Sequence, residues 1–104
     1  MSEALEPTLA ALADPSRRKV VEALCEAPLR AGELAGRVGV TPAALSRHLR
    51  VLKSVGLIEE MALPHDARVR MYILRPLPMA ELKAWLIHIE GLWTHQLSTL
   101  KTHI

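Results

Sequence analysis

Four side chains suited to gripping or reading a polyanion crowd one short stretch: Ser46, Arg47, Arg50 and Lys53. Arginine can present two N–H groups to the acceptor edge of guanine, serine both donates and accepts, and lysine brings a point charge to a phosphate. If the stretch from Thr41 to Val55 is helical, advancing about 100° per residue, Leu45, Leu49 and Leu52 share a stripe about 60° wide. Lys53, Ser46, Arg50, Ala43, Ser54 and Arg47 then fill an arc from about 80° to about 200° away from Leu45. That arc holds cations, hydroxyls and a small residue, and no acid. Thr41, Ala43 and Ala44 are small enough to let the start of the helix approach base edges. Arg50 and Lys53 lie further along, where phosphate contact is expected more than base contact. His48, near 300° by the same count of about 100° per residue, sits on the shoulder of the leucine stripe. Its position fits a half-buried structural histidine and a groove contact equally.

Catalytic chemistry is not legible. No serine, cysteine or carboxylate stands beside a base in a recognisable motif, and Ser46-Arg47-His48 lies on the same basic helix. An enzyme is therefore not expected. Charge distribution favours a nucleic-acid partner. The net charge is only +2, but residues 15–56 hold Arg17, Arg18, Lys19, Arg30, Arg37, Arg47, Arg50 and Lys53 against Glu22, Glu26 and Glu33. A phosphate-facing surface concentrates cations in this way. Arg17 and Arg18 are accordingly read as further DNA contacts.

The elements that position these residues follow from local signals. Leu5, Leu9 and Leu12 give a stripe for a first helix over about residues 3–13, with Pro7 tolerated in its first turn. Asp14-Pro15 and Thr41-Pro42 are each a capping residue followed by a proline suited to the first helical position. They open a second helix to about Cys25, burying Val20, Val21 and Leu24, and a fourth to about Val55. A short third helix near 31–38 ends at Gly39. The connection Gly39-Val40-Thr41 is the tight turn of a helix-turn-helix. Leu57–Leu63 and Arg68–Leu74 read as a β-hairpin about a Pro64-His65-Asp66-Ala67 turn, Val69, Met71 and Ile73 alternating with Arg68, Arg70 and Tyr72. Arg68 and Arg70 share a face there, placed to straddle a phosphate backbone or enter a minor groove. A last helix runs from about Pro78 to His103, apolar at helical spacing through Leu82, Trp85, Leu86, Ile89, Leu92, Trp93, Leu97 and Leu100. The order α-α-α-α-β-β-α is that of a winged helix-turn-helix, mainly α (α+β), with residues 1–104 as a single domain, and a helical bundle with a hairpin shares the same order.

Half the residues are apolar, yet only 3% are aromatic and Phe is absent, which favours packed helices over a β-sandwich. No apolar run approaches the roughly 20 residues that span a bilayer, and Met1-Ser2-Glu3 lacks a basic leader. The lone Cys25 closes no intrachain disulfide. A cytoplasmic protein without membrane contact is expected. Beside Leu24 and Ala27, Cys25 reads as a packed apolar residue before a redox-sensitive thiol.

The segments Ala11-Leu12-Ala13-Asp14-Pro15-Ser16-Arg17-Arg18, Glu33-Leu34-Ala35, Leu45-Ser46-Arg47-His48-Leu49-Arg50-Val51-Leu52-Lys53 and Gly56-Leu57-Ile58 resemble the ArsR/SmtB family of repressors. The hairpin with Tyr72 and the tail Trp85-Leu86 to Glu90-Gly91-Leu92-Trp93 look most like its SdpR-like branch, which lacks an evident metal site. The resemblance implies a homodimer joined by its first and last helices, binding a promoter and repressing it. Two features depart from the pattern. Pro42 stands where relatives often carry Gln against DNA, and the hairpin tip is longer than usual and lacks Gly.

The family's cysteine-rich metal site would fall near Leu34-Ala35-Gly36, where no cysteine occurs. Its other common site lies on the last helix, which here offers His88, Glu90, His95 and His103. His88 and His95 share a face, but about 10 Å of rise separates them, too far for one ion within a chain. No metal or other cofactor is expected. The last helix exposes more apolar surface than a small domain can cover. Leu5, Leu9, Trp85, Leu86, Ile89, Leu92, Trp93 and Leu97 form the expected dimer interface. Burying a few hundred Å² at about 25 cal/mol per Å² favours association before entropy costs. Such a dimer sets two reading helices roughly 34 Å apart and requires an inverted-repeat operator in double-stranded DNA. The alternatives are a metal- or thiol-responsive repressor, and a winged helix used only for protein contacts.

Overall fold

The computed structural model describes residues 5–103. Its elements run α1 (Leu5–Leu12), α2 (Pro15–Glu26), α3 (Ala31–Val38), α4 (Pro42–Ser54), β1 (Ile58–Leu63), β2 (Asp66–Leu74) and α5 (Pro76–His103). Both cap-then-proline signals act as read. Asp14 Oδ1 accepts the N–H groups of Ser16 at 2.8 Å and Arg17 at 3.1 Å, satisfying donors that the first turn of α2 leaves open. Thr41 Oγ1 does the same for the Ala44 N–H at 3.1 Å. Between α3 and α4 the chain reverses through Gly39, whose φ of 78° lies in the left-handed region that an L side chain resists. The Gly39 N–H closes α3 on the Ala35 carbonyl at 2.9 Å.

The core sits where α2, α3, α4 and β1 meet. Val20, Val21 and Leu24 from α2, Leu34 and Val38 from α3, Leu45, Leu49 and Leu52 from α4, and Leu57 and Ile58 at the start of the hairpin are buried together. The leucine stripe of α4 is thus its inward face, and its opposite arc is fixed outward. Arg37 of α3 pairs with Glu26 of α2 across the outside of this packing.

β1 and β2 pair antiparallel, from Ile58 opposite Leu74 to Ala62 opposite Arg70, before the register shifts to Leu63 opposite Asp66. The turn is therefore only Pro64-His65. Asp66 and Ala67, read as turn residues, already belong to β2, and the unequal strand lengths are absorbed by the irregularity. Leu29, in the α2–α3 connection, exchanges two backbone hydrogen bonds with Tyr72, at 2.8 and 3.2 Å. The hairpin thereby gains a one-residue third strand and is tied to the helix-turn-helix.

The terminal helices differ from their sequence reading in detail. In α1 the buried residues are Leu5, Thr8 and Ala11, while Leu9 is 39% exposed. The stripe is rotated because α1 packs against both α2 and α5. Residues 3 and 4 of the predicted helix fall outside the described residues. α5 starts two residues early, its first turn accommodating Pro76 and Pro78. Leu82 and Trp85 are half-buried, but every residue from Leu86 to Thr102 is exposed. At 28 residues α5 is about 42 Å long and projects as an arm, giving the chain a longest dimension of 64 Å.

Candidate nucleic-acid interface

Thr41, Ala43, Ser46, Arg47, Arg50 and Lys53 are exposed, and Ala44 is half-buried behind them. α4 therefore presents an acid-free face whose N-terminal third is small and whose remainder is cationic. Its backbone is held by the Thr41 cap and by the Leu45 N–H on the Thr41 carbonyl at 2.9 Å. An α-helix of this width fits the major groove of B-form DNA, where arginine and serine can meet base edges.

His48 is half-buried, and its charge is one of the influences on Asp14. The Asp14 carboxyl is held below its ordinary value of 3.8, chiefly by the Arg17 N–H hydrogen bond. Burial opposes that shift, while the Ser16 N–H and the charges of His48 and Arg17 assist it. His48 thus sits on the shoulder of the leucine stripe, between the buried face of α4 and its outward arc.

Arg17 and Arg18, expected to contact DNA, make contacts within the chain. Both turn back onto the C-terminus of α1. Arg17 Nε donates to the Ala11 carbonyl at 2.6 Å and its Nη1 lies 4.0 Å from Asp14. Arg18 Nη1 donates to the carbonyls of Leu12 at 2.8 Å and Ala13 at 3.0 Å. The last carbonyls of a helix lack intrahelical donors and carry partial negative charge, so these guanidinium groups are engaged there. Cys25 is corrected: it is exposed, not packed, since the buried positions of α2 are Val20, Val21, Ala23 and Leu24.

On the hairpin, Arg68 is 92% exposed at the side chain and folds back to Asp66 at 3.2 Å. Arg70 approaches Glu60 at 3.7 Å. The register shift beyond Ala62 falls between the pairing positions of Arg70 and Asp66, yet Arg68 and Arg70 are both exposed, on either side of the half-buried Val69. Glu60 and Tyr72 join this surface without a local sequence signal of their own. Glu60 accepts from Lys53 Nζ at 3.1 Å and lies directly across the ladder from Tyr72. The signal available in sequence is the hairpin pairing itself, which sets Glu60 against Tyr72 once the turn is placed at Pro64-His65.

For the expected dimer surface, Leu9, Leu86, Ile89, Leu92, Trp93 and Leu97 are exposed. Trp85 is half-buried. Leu5 is corrected: at 4% exposure it is buried within its own chain. Among the described residues, no group of three His, Cys, Asp or Glu side chains converges as a metal site, and His88, Glu90 and His95 lie exposed along α5. No helix among them is long and apolar enough to cross a membrane.

Helix, tight turn, exposed basic helix and hairpin together define a winged helix-turn-helix of the DNA-binding class. Comparison with known proteins agrees. The sequence pattern of bacterial regulatory proteins of the arsR family matches residues 14–60. The HTH-type transcriptional regulator Rv2034 of Mycobacterium tuberculosis (strain ATCC 25618 / H37Rv) is 40% identical over 88 residues, spanning 85% of this chain and 77% of that protein. The crystal structure of the ArsR family transcriptional regulator RHA00566 superposes with a TM-score of 0.76 at 30% identity, covering 88% of this chain and 98% of the other. The homodimeric winged helix-turn-helix domain of Mb0332 from Mycobacterium bovis shares the fold with a TM-score of 0.64 at 18% identity, over 91% of this chain and 82% of that one. This chain belongs to the ArsR family. It is a DNA-binding transcriptional regulator and not an enzyme.

Proposed function

We propose that this regulator is a homodimeric repressor that binds an inverted-repeat operator in the cytoplasm and needs no metal effector. The observation that carries the reading is the outward face of α4, where Ala43, Ser46, Arg47 and Arg50 stand exposed without an acid among them. In this reading Arg47 and Ser46 meet base edges, Arg50 grips phosphate, and the hairpin with Arg68 and Arg70 lies against the flanking backbone.

Dimerisation is supported by the exposed half of α5. Leu86, Ile89, Leu92, Trp93 and Leu97 form a contiguous apolar surface that a lone chain leaves in water. Leu9 of α1 adds to it. The homodimeric state of the Mb0332 domain is consistent with the same use of the fold. A two-fold dimer sets its two α4 helices roughly one DNA turn, about 34 Å, apart, and a symmetric reader requires a symmetric site. Metal independence is supported by donor spacing: His88 and His95 are about 10 Å apart along one helix.

Selection of bound fragments from genomic and random DNA, with zinc and with a chelator, tests the reading. The expected result is one enriched inverted repeat under both conditions. Enrichment only with zinc, or only with the chelator, would remove metal independence. Enrichment of a site without symmetry would remove the dimeric reader.

A further inference from the structure

The basic face of α4 continues off the helix. Between α4, the first turn of α3 and β2 lies an open cleft of about 240 Å³, lined by Ala31, Ser46, Leu49, Arg50, Lys53 and Tyr72. Its lining joins the buried Leu49 to Arg50, Lys53, Ser46 and Tyr72, residues that carry a guanidinium, an ammonium and two hydroxyls. The space is small for a drug-sized ligand and suits one phosphodiester group with its hydration. Ala31 opens α3, so the positive end of that helix borders the same cleft.

Two residues outside α4 give the cleft its character. Tyr72 is fixed by its backbone exchange with Leu29, and burial, aided by the Glu60 charge, pushes its phenol above the ordinary value of 10.0. A phenol is a neutral donor near pH 7 even at its ordinary value. Glu60, across the ladder from Tyr72, holds Lys53 at 3.1 Å and Arg70 at 3.7 Å. A single carboxylate thus occupies one cation from the helix and one from the hairpin.

We propose that this cleft seats one backbone phosphate of the bound duplex, with Tyr72 donating a hydrogen bond to it, and that Glu60 is the internal carboxylate from which the phosphate takes Lys53. The inference rests on the DNA-reading face of α4 and adds its flanking phosphate contact. Exchange of one anion for another leaves Lys53 paired in both states, so Lys53 contributes less to binding than a free lysine would. Glu60 acts as a discount on affinity for any polyanion and restrains binding off the operator.

The test is fluorescence anisotropy of a labelled mixed-sequence duplex across a salt series, with thermal melting to confirm folding. Glu60→Gln is expected to tighten binding about threefold to tenfold at low salt and to steepen the salt dependence. Tyr72→Phe is expected to weaken binding about threefold or more with the ladder intact. In a Lys53→Ala background the gain from Glu60→Gln should fall by half or more, because the cation it releases is gone. Unchanged or weaker binding by folded Glu60→Gln, or unchanged binding by Tyr72→Phe, overturns the seat. If wild type binds and Arg47→Ala weakens it while Glu60→Gln and Tyr72→Phe behave as wild type, only the seat fails. If wild type does not bind at low salt, the DNA-reading face itself fails.

Discussion

The guanidinium of Arg17 and the main-chain carbonyl of Ala11 are joined across the α1–α2 corner, Nε to oxygen, at 2.6 Å. The contact spends a cation on fold architecture. α1 ends without a basic residue in its own last turn, and Arg17 and Arg18, arriving from α2, supply the charge its terminal carbonyls need.

Arg17→Ala is therefore expected to lower unfolding free energy by about 1–2 kcal/mol, the range for a charged donor on a backbone acceptor. Its effect on DNA affinity at constant folded fraction should be negligible. Urea titration and duplex anisotropy on the same preparation check both halves. A shallower salt slope with unchanged stability would return Arg17 to the DNA surface.

Asp14 makes the same corner sensitive to acid. Its carboxyl is held below 3.8 in the folded chain, so the folded state binds its proton less readily than the unfolded chain does. That contribution is fully present above the unfolded value and is lost as pH falls through the lower folded one. Asp14→Asn keeps an amide oxygen for the N-cap but removes the titration. Its urea midpoint should depend less on pH than that of wild type below about pH 5. Identical acid profiles for the two proteins would contradict the assignment.

On the face of α4, Arg47 and Arg50 should fail differently. Arg47→Ala is expected to lose about 1–3 kcal/mol of discrimination between operator and altered sequence. Arg50→Ala should weaken all duplexes alike and reduce the salt slope by about 1. Competition binding against single-base operator variants separates the two. Equal losses on every sequence for Arg47→Ala would make it a phosphate contact.

The arm of α5 predicts an oligomeric phenotype. Trp93→Asp combined with Leu97→Asp places two charges on a surface that is apolar and exposed in the single chain. Sedimentation velocity should show the dimer converted to monomer, with affinity for an inverted repeat reduced by about tenfold or more through loss of the linked second site. A variant that sediments as wild type would move the interface elsewhere.

The features legible in sequence were those set by near neighbours. Asp14-Pro15 and Thr41-Pro42 each place a capping oxygen two or three residues before the N–H it accepts, and both helices begin there. The inward stripe Leu45, Leu49 and Leu52 follows from helical spacing alone, which also sets which residues of α4 are exposed. What escaped depended on angles between elements. Arg17 and Arg18 cap α1 only because α1 and α2 meet at a particular corner, five to seven residues apart in sequence. Leu9 faces water and Thr8 is buried because α1 packs between two helices, which a single leucine stripe does not reveal. Glu60 reaches Lys53 and Tyr72 meets Leu29 through pairings set by the hairpin register, and the register shift near Leu63 was hidden by a turn read as two residues too long.

Amide chemical-shift mapping of the labelled protein, titrated with a mixed-sequence duplex at low salt, examines the groove-facing side of α4 without knowledge of the operator. The largest changes should fall between Thr41 and Arg50 and at Arg68 and Arg70, with the α5 arm from Ile87 to Leu100 unaffected. Changes confined to that arm, or a saturated complex in which the amides of α4 do not move, would contradict the assignment of α4 as the element that reads DNA.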